Sequence, residues 1–192
     1  MKLSEQITLT VTDITEDGKG IGHADGMAVF IDGAVPGDTV RAAVTKVKKR
    51  YAFASLEEIL TPSADRVEAA CPYYGRCGGC TMMELSLESQ HRIHREQIRE
   101  KLQRIGGIED PVVRDVIPCQ TAAAPAASPG NALPGSRYRN KAVFAVLETK
   151  SGPVCGFRMR GSNRVIDIRD CLLQQEPVMA VCNAVRELIR GT

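Results

Sequence analysis

Residues 27–59 read MAVFIDGAVPGDTVRAAVTKVKKRYAFASLEEI, and their pattern decides the fold of the first third of the chain. Met27-Ala28-Val29-Phe30-Ile31 is an apolar run of strand length, suited to a buried strand. Pro36-Gly37-Asp38 marks a turn, and Thr39–Val47 resumes as a strand. After a basic turn, Tyr51–Ile59 alternates and closes the set. Upstream, Ile7-Thr8-Leu9-Thr10-Val11 is rich in β-forming residues, and Gly18, Gly20 and Gly22 punctuate the stretch between it and Met27. Five short strands parted by Gly and Pro turns predict a small closed, OB-like β-barrel. Thr61-Pro62-Ser63 ends it, which sets a first domain at residues 1–62.

The 192 residues suffice for one large domain or two small ones. Hydrophobic residues make up 43% and aromatics only 4%, with no Trp, so any core is built from Ala, Val, Leu and Ile. The net charge of +2 is uninformative, but its distribution is not. Residues 41–50 hold Arg41, Lys46, Lys48, Lys49 and Arg50 without an acid, and residues 137–141 hold Arg137, Arg139 and Lys141 without one. Such patches suit phosphate backbones, because each neutralised phosphate releases condensed counterions. Met1-Lys2-Leu3 runs straight into polar Ser4-Glu5-Gln6, unlike a signal peptide. No apolar run approaches the ~20 residues of a membrane helix. The expected location is therefore the cytoplasm, with no membrane partner. Seven cysteines in a reducing compartment point to metal binding or buried thiols, not to a disulfide framework.

Beyond the barrel stands the densest chemical signal, Cys71-x5-Cys77-x2-Cys80, written CPYYGRCGGC. Three thiolates within ten residues converge on one centre if the backbone folds tightly, and Gly78 and Gly79 permit that. Structural zinc takes paired Cys knuckles. A single burst with no second pair favours an iron–sulfur cluster instead. The candidates for a fourth ligand are Cys119, Cys155, Cys171 and Cys182. Cys182 falls on the apolar face of a predicted helix, Cys155 lies within a predicted strand, and Cys119 borders a loop. Cys171 follows a strand end at Asp170, where a loop can present it, and is the favoured choice.

The rest of the chain predicts a second region, residues 63–192, and an α+β fold overall. Residues 86–105 predict a helix with Ser86 as N-cap and Gly106-Gly107 as stop. Its apolar stripe, Ile93, Ile98, Leu102 and Ile105, is narrow. Residues 119–136, rich in Ala, Pro, Ser and Gly, predict a mobile loop. Arg139–Leu147, Val154–Met159 and Arg164–Ile168 predict an antiparallel sheet, with turns at Gly152-Pro153 and Gly161-Ser162-Asn163. Pro177 suits the first turn of a last helix, with Val178, Cys182, Val185 and Ile189 on one face.

Taken together these residues resemble the N-terminal half of the bacterial 23S rRNA (uracil-5-)-methyltransferases that carry a TRAM domain and an iron–sulfur cluster. Gly18-Lys19-Gly20-Ile21-Gly22, Val35-Pro36-Gly37-Asp38 and Lys46-x-Lys48-Lys49-Arg50-Tyr51 are similar to the TRAM barrel pattern. Pro62-Ser63-x-x-Arg66-Val67 leading into CPYYGRCGGC is similar to the family's cluster burst. Tyr138-Arg139-Asn140-Lys141 and Gly156-Phe157-Arg158 are similar to its central sheet, and Asp167-x-x-Asp170-Cys171 to its fourth ligand.

The resemblance implies a [4Fe–4S] cluster held by Cys71, Cys77, Cys80 and Cys171. It also implies methyl transfer from S-adenosylmethionine to C5 of an RNA uracil, after a cysteine attacks C6 of the flipped base. That nucleophile, the general base and the S-adenosylmethionine site belong to a catalytic domain that matches nothing before Thr192. This chain alone is therefore expected to be inactive, with the 86–105 helix packing on that absent domain. RNA, with 23S rRNA foremost, is the expected partner of a monomer. Lys46, Lys48, Lys49, Arg50, Arg139 and Lys141 are the expected RNA contacts, and Tyr51 and Tyr138 the candidate stacking rings. A stand-alone RNA-binding module is one alternative. A radical S-adenosylmethionine tRNA modifier is another, disfavoured because those enzymes use a C-x3-C-x2-C burst with one open iron.

Overall fold

The computed structural model describes residues 1–118, 136–150 and 152–190. The expected loop at 119–136, and Cys119 with it, lies outside the described residues except for Ser136. The chain divides into two compact units: Met1–Glu68 with Thr81–Val116, and Ala69–Cys80 with the described part of Ile117–Thr192. The cysteine burst thus belongs to the second unit, although the first unit's chain resumes directly after it.

The first unit is a closed barrel of five strands: β1 (Gln6–Ile14), β2 (Lys19–Ala24), β3 (Met27–Asp32), β4 (Thr39–Val47) and β5 (Tyr51–Thr61). They are ordered β1-β2-β3-β5-β4, with β3 and β5 parallel and the other pairs antiparallel. Alternation along each strand sends Leu9, Val11, Val29, Ile31, Val40, Ala42 and Ala54 inward. The barrel is narrow, and this explains the glycines of β2. A Cβ at Gly20 would stand 2.6 Å from the Ala34 carbonyl oxygen, and one at Gly22 would stand 2.7 Å from that of Thr10.

The turn before β4 is locked to the chain after β5. Asp38 is fully buried and accepts hydrogen bonds from the Val35 and Ser63 N–H groups, both at 2.9 Å. Arg66 completes the set on the same carboxylate and also pairs with Glu84 at 2.9 Å. Helix α1 (Leu87–Arg104) comes next in this unit. Ser86 caps it by accepting from the Ser89 N–H, and Glu88 sits in the first turn, where the helix dipole favours an acid. Ile93 packs against the cluster of Ile14, Val35, Met82 and Leu85. The remaining stripe is only partly covered: Ile98 is 49% and Ile105 84% exposed.

The second unit contains the sheet β6 (Ala145–Thr149), β7 (Gly152–Arg158) and β8 (Val165–Asp167), an antiparallel meander, and helix α2 (Glu176–Arg190). The first of these strands starts at Ala145, not at Arg139 as its sequence suggests. The reason is competition for backbone partners. Arg137 and Arg139 donate N–H bonds to the Leu172 and Leu173 carbonyls, and Gln175 donates to the Arg139 carbonyl, so this segment pairs with the chain around Cys171. Gly156 lets β7 and β8 meet, since a Cβ there would stand 1.9 Å from the Ile166 carbonyl oxygen.

Helix α2 packs on β7 with Cys182 buried and Val178 and Ile189 half-buried, as expected, but its face is rotated away from Val185. Met179, Cys182 and Arg186 are buried, whereas Val185 is exposed. The helix is turned toward Arg186, whose guanidinium donates to Asp167 Oδ1 at 2.8 Å and to the carbonyls of Cys155 at 2.7 Å and Ile168 at 2.6 Å. A buried charge with these partners outweighs one exposed valine.

Candidate functional site

Four of the cysteines face one cavity in the second unit. Cys71, Cys77, Cys80 and Cys171 line it together with Tyr73, Tyr74, Phe157, Ile168, Leu173 and Arg139. Its volume of about 70 Å³ is several times the ~10–15 Å³ that a single water occupies by the same measure. The walls other than sulfur are mostly apolar.

The burst reaches this geometry through tight turns. Tyr74 N–H donates to the Cys71 carbonyl at 3.0 Å, and Cys77 N–H to the Tyr73 carbonyl at 2.8 Å. Gly78 N–H donates to the Arg158 carbonyl at 3.1 Å, which ties the burst to the end of β7. Arg160 fixes the far end by donating to the Cys80 carbonyl at 3.1 Å. On the other side Arg137 holds the Cys171 loop. It makes a bidentate pair with Asp170 at 2.7 and 2.8 Å and donates to the Cys171 carbonyl at 3.0 Å. The Arg137 contact holds the Asp170 carboxyl below its ordinary value, against the effect of burial.

The donor set fits a thiolate-bound iron–sulfur centre. Burial pushes the Cys77 thiol up. Cys80 is pushed up to about 11, by burial first and then by repulsion from Cys171, Cys77 and Cys71, with Arg139 acting in the opposite sense. Raised in this way, the Cys77 and Cys80 thiols favour the protonated form until a cation compensates them, and a metal centre would release those protons. Among the described residues no three His, Cys, Asp or Glu side chains are grouped to hold a single metal ion. One zinc would draw four sulfurs to about 3.8 Å of each other, given Zn–S bonds of ~2.3 Å. A cluster, in which each iron takes one cysteine, needs the sulfurs further apart.

The other described cysteines lie elsewhere. Cys155 and Cys182 are buried in the core between β7 and α2, with their sulfurs 3.4 Å apart. Burial pushes the Cys182 thiol up to about 11. Both are packing residues, enclosed away from any substrate.

A second surface lies on the barrel. Lys46, Lys48, Lys49 and Arg50 are all exposed around the β4–β5 turn, which the Lys48 N–H closes by donating to the Tyr51 carbonyl at 2.8 Å. Tyr51 does not stand alone. Its ring lies 5.7 Å from Phe30 and 5.6 Å from Phe53, and those two rings are 5.5 Å apart. Because Val29, Ile31, Ala52 and Ala54 face inward, the three rings share the outer face. Sequence reasoning misses Phe30 and Phe53 as site residues. Alternation alone marks them as outward, but only the parallel pairing of β3 with β5 sets Phe30 beside Phe53. Of the two cations expected from 137–141, Lys141 is exposed and Arg139 lines the thiol cavity; Tyr138 is 48% exposed.

Comparison with known proteins adds a family context. Residues 3–56 match the TRAM domain. An uncharacterized RNA methyltransferase of Halalkalibacterium halodurans is 38% identical over 187 residues, covering 97% of this chain and 38% of that protein. The 23S rRNA (uracil(1939)-C(5))-methyltransferase RlmD of Halomonas elongata is 36% identical over 185 residues, covering 95% and 35%. In structure, the chain is similar to the Pyrococcus abyssi tRNA (uracil-54, C5)-methyltransferase solved with S-adenosyl-L-homocysteine. The TM-score is 0.62 at 21% identity, over 96% of this chain and 37% of that one, a likeness of fold. The chain spans less than two fifths of the length of each of these relatives.

Proposed function

We propose, from the premise that this chain carries a TRAM domain and is a relative of the RNA methyltransferases along nearly its whole length, that it is the RNA-binding and iron–sulfur-cluster portion of an S-adenosylmethionine-dependent RNA uracil-C5 methyltransferase. The substrate class is 23S rRNA, in line with the relative from Halomonas elongata. The observation that carries this reading is the meeting of Cys171 with the Cys71–Cys80 burst at one cavity, in a chain that also holds a TRAM barrel.

On this reading Cys71, Cys77, Cys80 and Cys171 hold a [4Fe–4S] cluster. The cluster, when bound, supplies a four-point cross-link between the burst and the loop after β8. The chain's own residues supply recognition. Lys46, Lys48, Lys49 and Arg50 neutralise phosphates, and the rings of Tyr51, Phe53 and Phe30 offer a face on which unstacked bases stack. Arg139 and Lys141 add charge from the second unit. The exposed Ile98 and Ile105 of α1 suit a helix that meets a catalytic domain.

Methyl transfer is assigned to no described residue of this chain. Cys155 and Cys182 are buried against each other in the α2 core, and the other four described cysteines are taken by the cavity. A fourth cysteine at the cavity favours a closed site, and this places the radical S-adenosylmethionine reading lower. The test is to purify the chain without oxygen, measure iron and sulfide, and titrate it with a 23S rRNA fragment. About four irons per chain and salt-sensitive binding are expected. Iron-free protein, or no binding at low salt, would refute the proposal.

A further inference from the structure

Two stretches without a single acid, 71–80 and 150–166, are drawn together in the second unit. Cys77 and Met159 form a β-bridge, Gly78 N–H donates to the Arg158 carbonyl at 3.1 Å, and Arg160 N–H donates to the Arg76 carbonyl at 2.9 Å. Met159 N–H closes the β7–β8 turn on the Arg164 carbonyl at 2.8 Å. Four arginines, Arg76, Arg158, Arg160 and Arg164, are thereby set on two adjoining turns. Arg76, Arg158 and Arg164 are exposed, and among the described residues none of these three makes an ion pair. Arg158 instead donates to Asn163 Oδ1 at 2.7 Å, which orients its guanidinium.

Like charges repel, and a fold gains nothing by gathering Arg76, Arg158 and Arg164 beside one another without carboxylate partners. The nearest acid of the same sheet, Asp167, is already taken by Arg186, Arg169 and Arg190. The turns are rigidly built. Gly78 permits the approach, since even a Cβ there would stand 3.3 Å from the Arg158 carbonyl oxygen. Gly161 turns the hairpin at φ 63°. Planar guanidinium forks held on such a frame match the oxygens of phosphodiesters in bidentate fashion better than flexible ammonium groups do.

We infer that the arginine cluster formed by Arg76, Arg158, Arg160 and Arg164 is a second phosphate-binding surface for RNA, separate in sequence and in kind from the lysine-rich barrel hairpin. The inference rests on the proposal that this chain binds RNA. It adds a site on the cluster-bearing unit that sequence spacing does not reveal, because the arginines come from stretches some eighty residues apart.

The test compares three forms of the full 192-residue chain, prepared without oxygen: unaltered, Arg158→Gln/Arg164→Gln, and Lys48→Gln/Lys49→Gln. Arg76 and Arg160 are kept, since their backbones and the Arg160 side chain brace the cysteine burst. Affinity for a labelled single-stranded RNA oligonucleotide is measured by fluorescence anisotropy across a salt series. The arginine variant should bind roughly tenfold more weakly, with a log–log salt slope shallower by about 1.4, ~0.7 for each of two phosphates. Its iron content should match the unaltered chain. Unchanged affinity and slope in the arginine variant, with weaker binding in the lysine variant, would overturn this inference and leave the RNA-binding proposal standing. No change in either variant would refute both. Weaker binding with an unchanged slope would make the arginines structural and would overturn the inference.

Discussion

Arg66 grips both oxygens of Asp38, its Nε 3.2 Å from Oδ1 and its Nη2 2.5 Å from Oδ2. The pair joins the turn that opens β4 to the chain that leaves β5, and so fixes where the barrel ends. Burial by itself would raise the Asp38 carboxyl. The hydrogen bonds from Arg66, Val35 and Ser63 outweigh that and hold it below its ordinary value. A carboxylate depressed in the folded state contributes stability above its unfolded value near pH 4, and that stability is lost as pH falls through the folded value. The thermal stability of the barrel should therefore fall as pH drops below about 4. Asp38→Asn should flatten this dependence and destabilise by about 3 kcal/mol at neutral pH, because it leaves Arg66 short of a partner. Circular dichroism melts between pH 3 and 7 read both effects. An unchanged pH profile in the variant would contradict the assignment.

Arg186 should behave as a core residue of the second unit despite its charge. It is 1% exposed and bonds to Asp167 and to the Cys155 and Ile168 carbonyls. Arg186→Met should cost about 3–5 kcal/mol, since it strands buried acceptors and the Asp167 carboxylate. Arg186→Lys should recover only part of this, because one ammonium cannot reach three acceptors spread over β7 and the end of β8. Urea unfolding measures both. A Met variant as stable as the parent would show the network to be dispensable.

The ring face of the barrel should matter for binding and not for folding. Tyr51→Ala should weaken single-stranded RNA binding by about 1–3 kcal/mol, the usual worth of one stacked base, while the salt slope stays unchanged because no phosphate contact is lost. Phe53→Ala should act in the same direction. Anisotropy titrations at two salt concentrations separate this stacking loss from a charge loss. A change in slope without a change in affinity at low salt would contradict the stacking role.

Much of this architecture is legible in the sequence, and the illegible parts share a cause. The β-rich run Ile7–Val11, the glycines of β2 and alternation in residues 27–59 mark the five strands, since inward residues must fit a narrow barrel. Ser86 and Gly106-Gly107 mark α1. The Asp38–Arg66 pair spans 28 residues, and nothing local announces it. The turn of α2 toward Arg186 runs against hydrophobic periodicity, because a charged residue won the buried position through backbone acceptors on other strands. The late start of β6 has the same origin: Arg137 and Arg139 commit their N–H groups to the Cys171 loop. The cysteine burst is legible because its three cysteines lie within ten residues. The place of Cys171 beside it, expected from its position in a loop at a strand end, depends on that same nonlocal pairing.

Iron content after single cysteine replacements distinguishes a four-cysteine cluster from an unoccupied thiol cavity. Cys171→Ala and Cys182→Ala proteins, purified without oxygen beside the unaltered chain, should differ sharply. The Cys171 variant should lose most of its iron and its visible absorption, whereas the Cys182 variant, altered only in the α2 core, should retain about four irons per chain. Full iron loading in the Cys171 variant would contradict the assignment of that residue to the cluster.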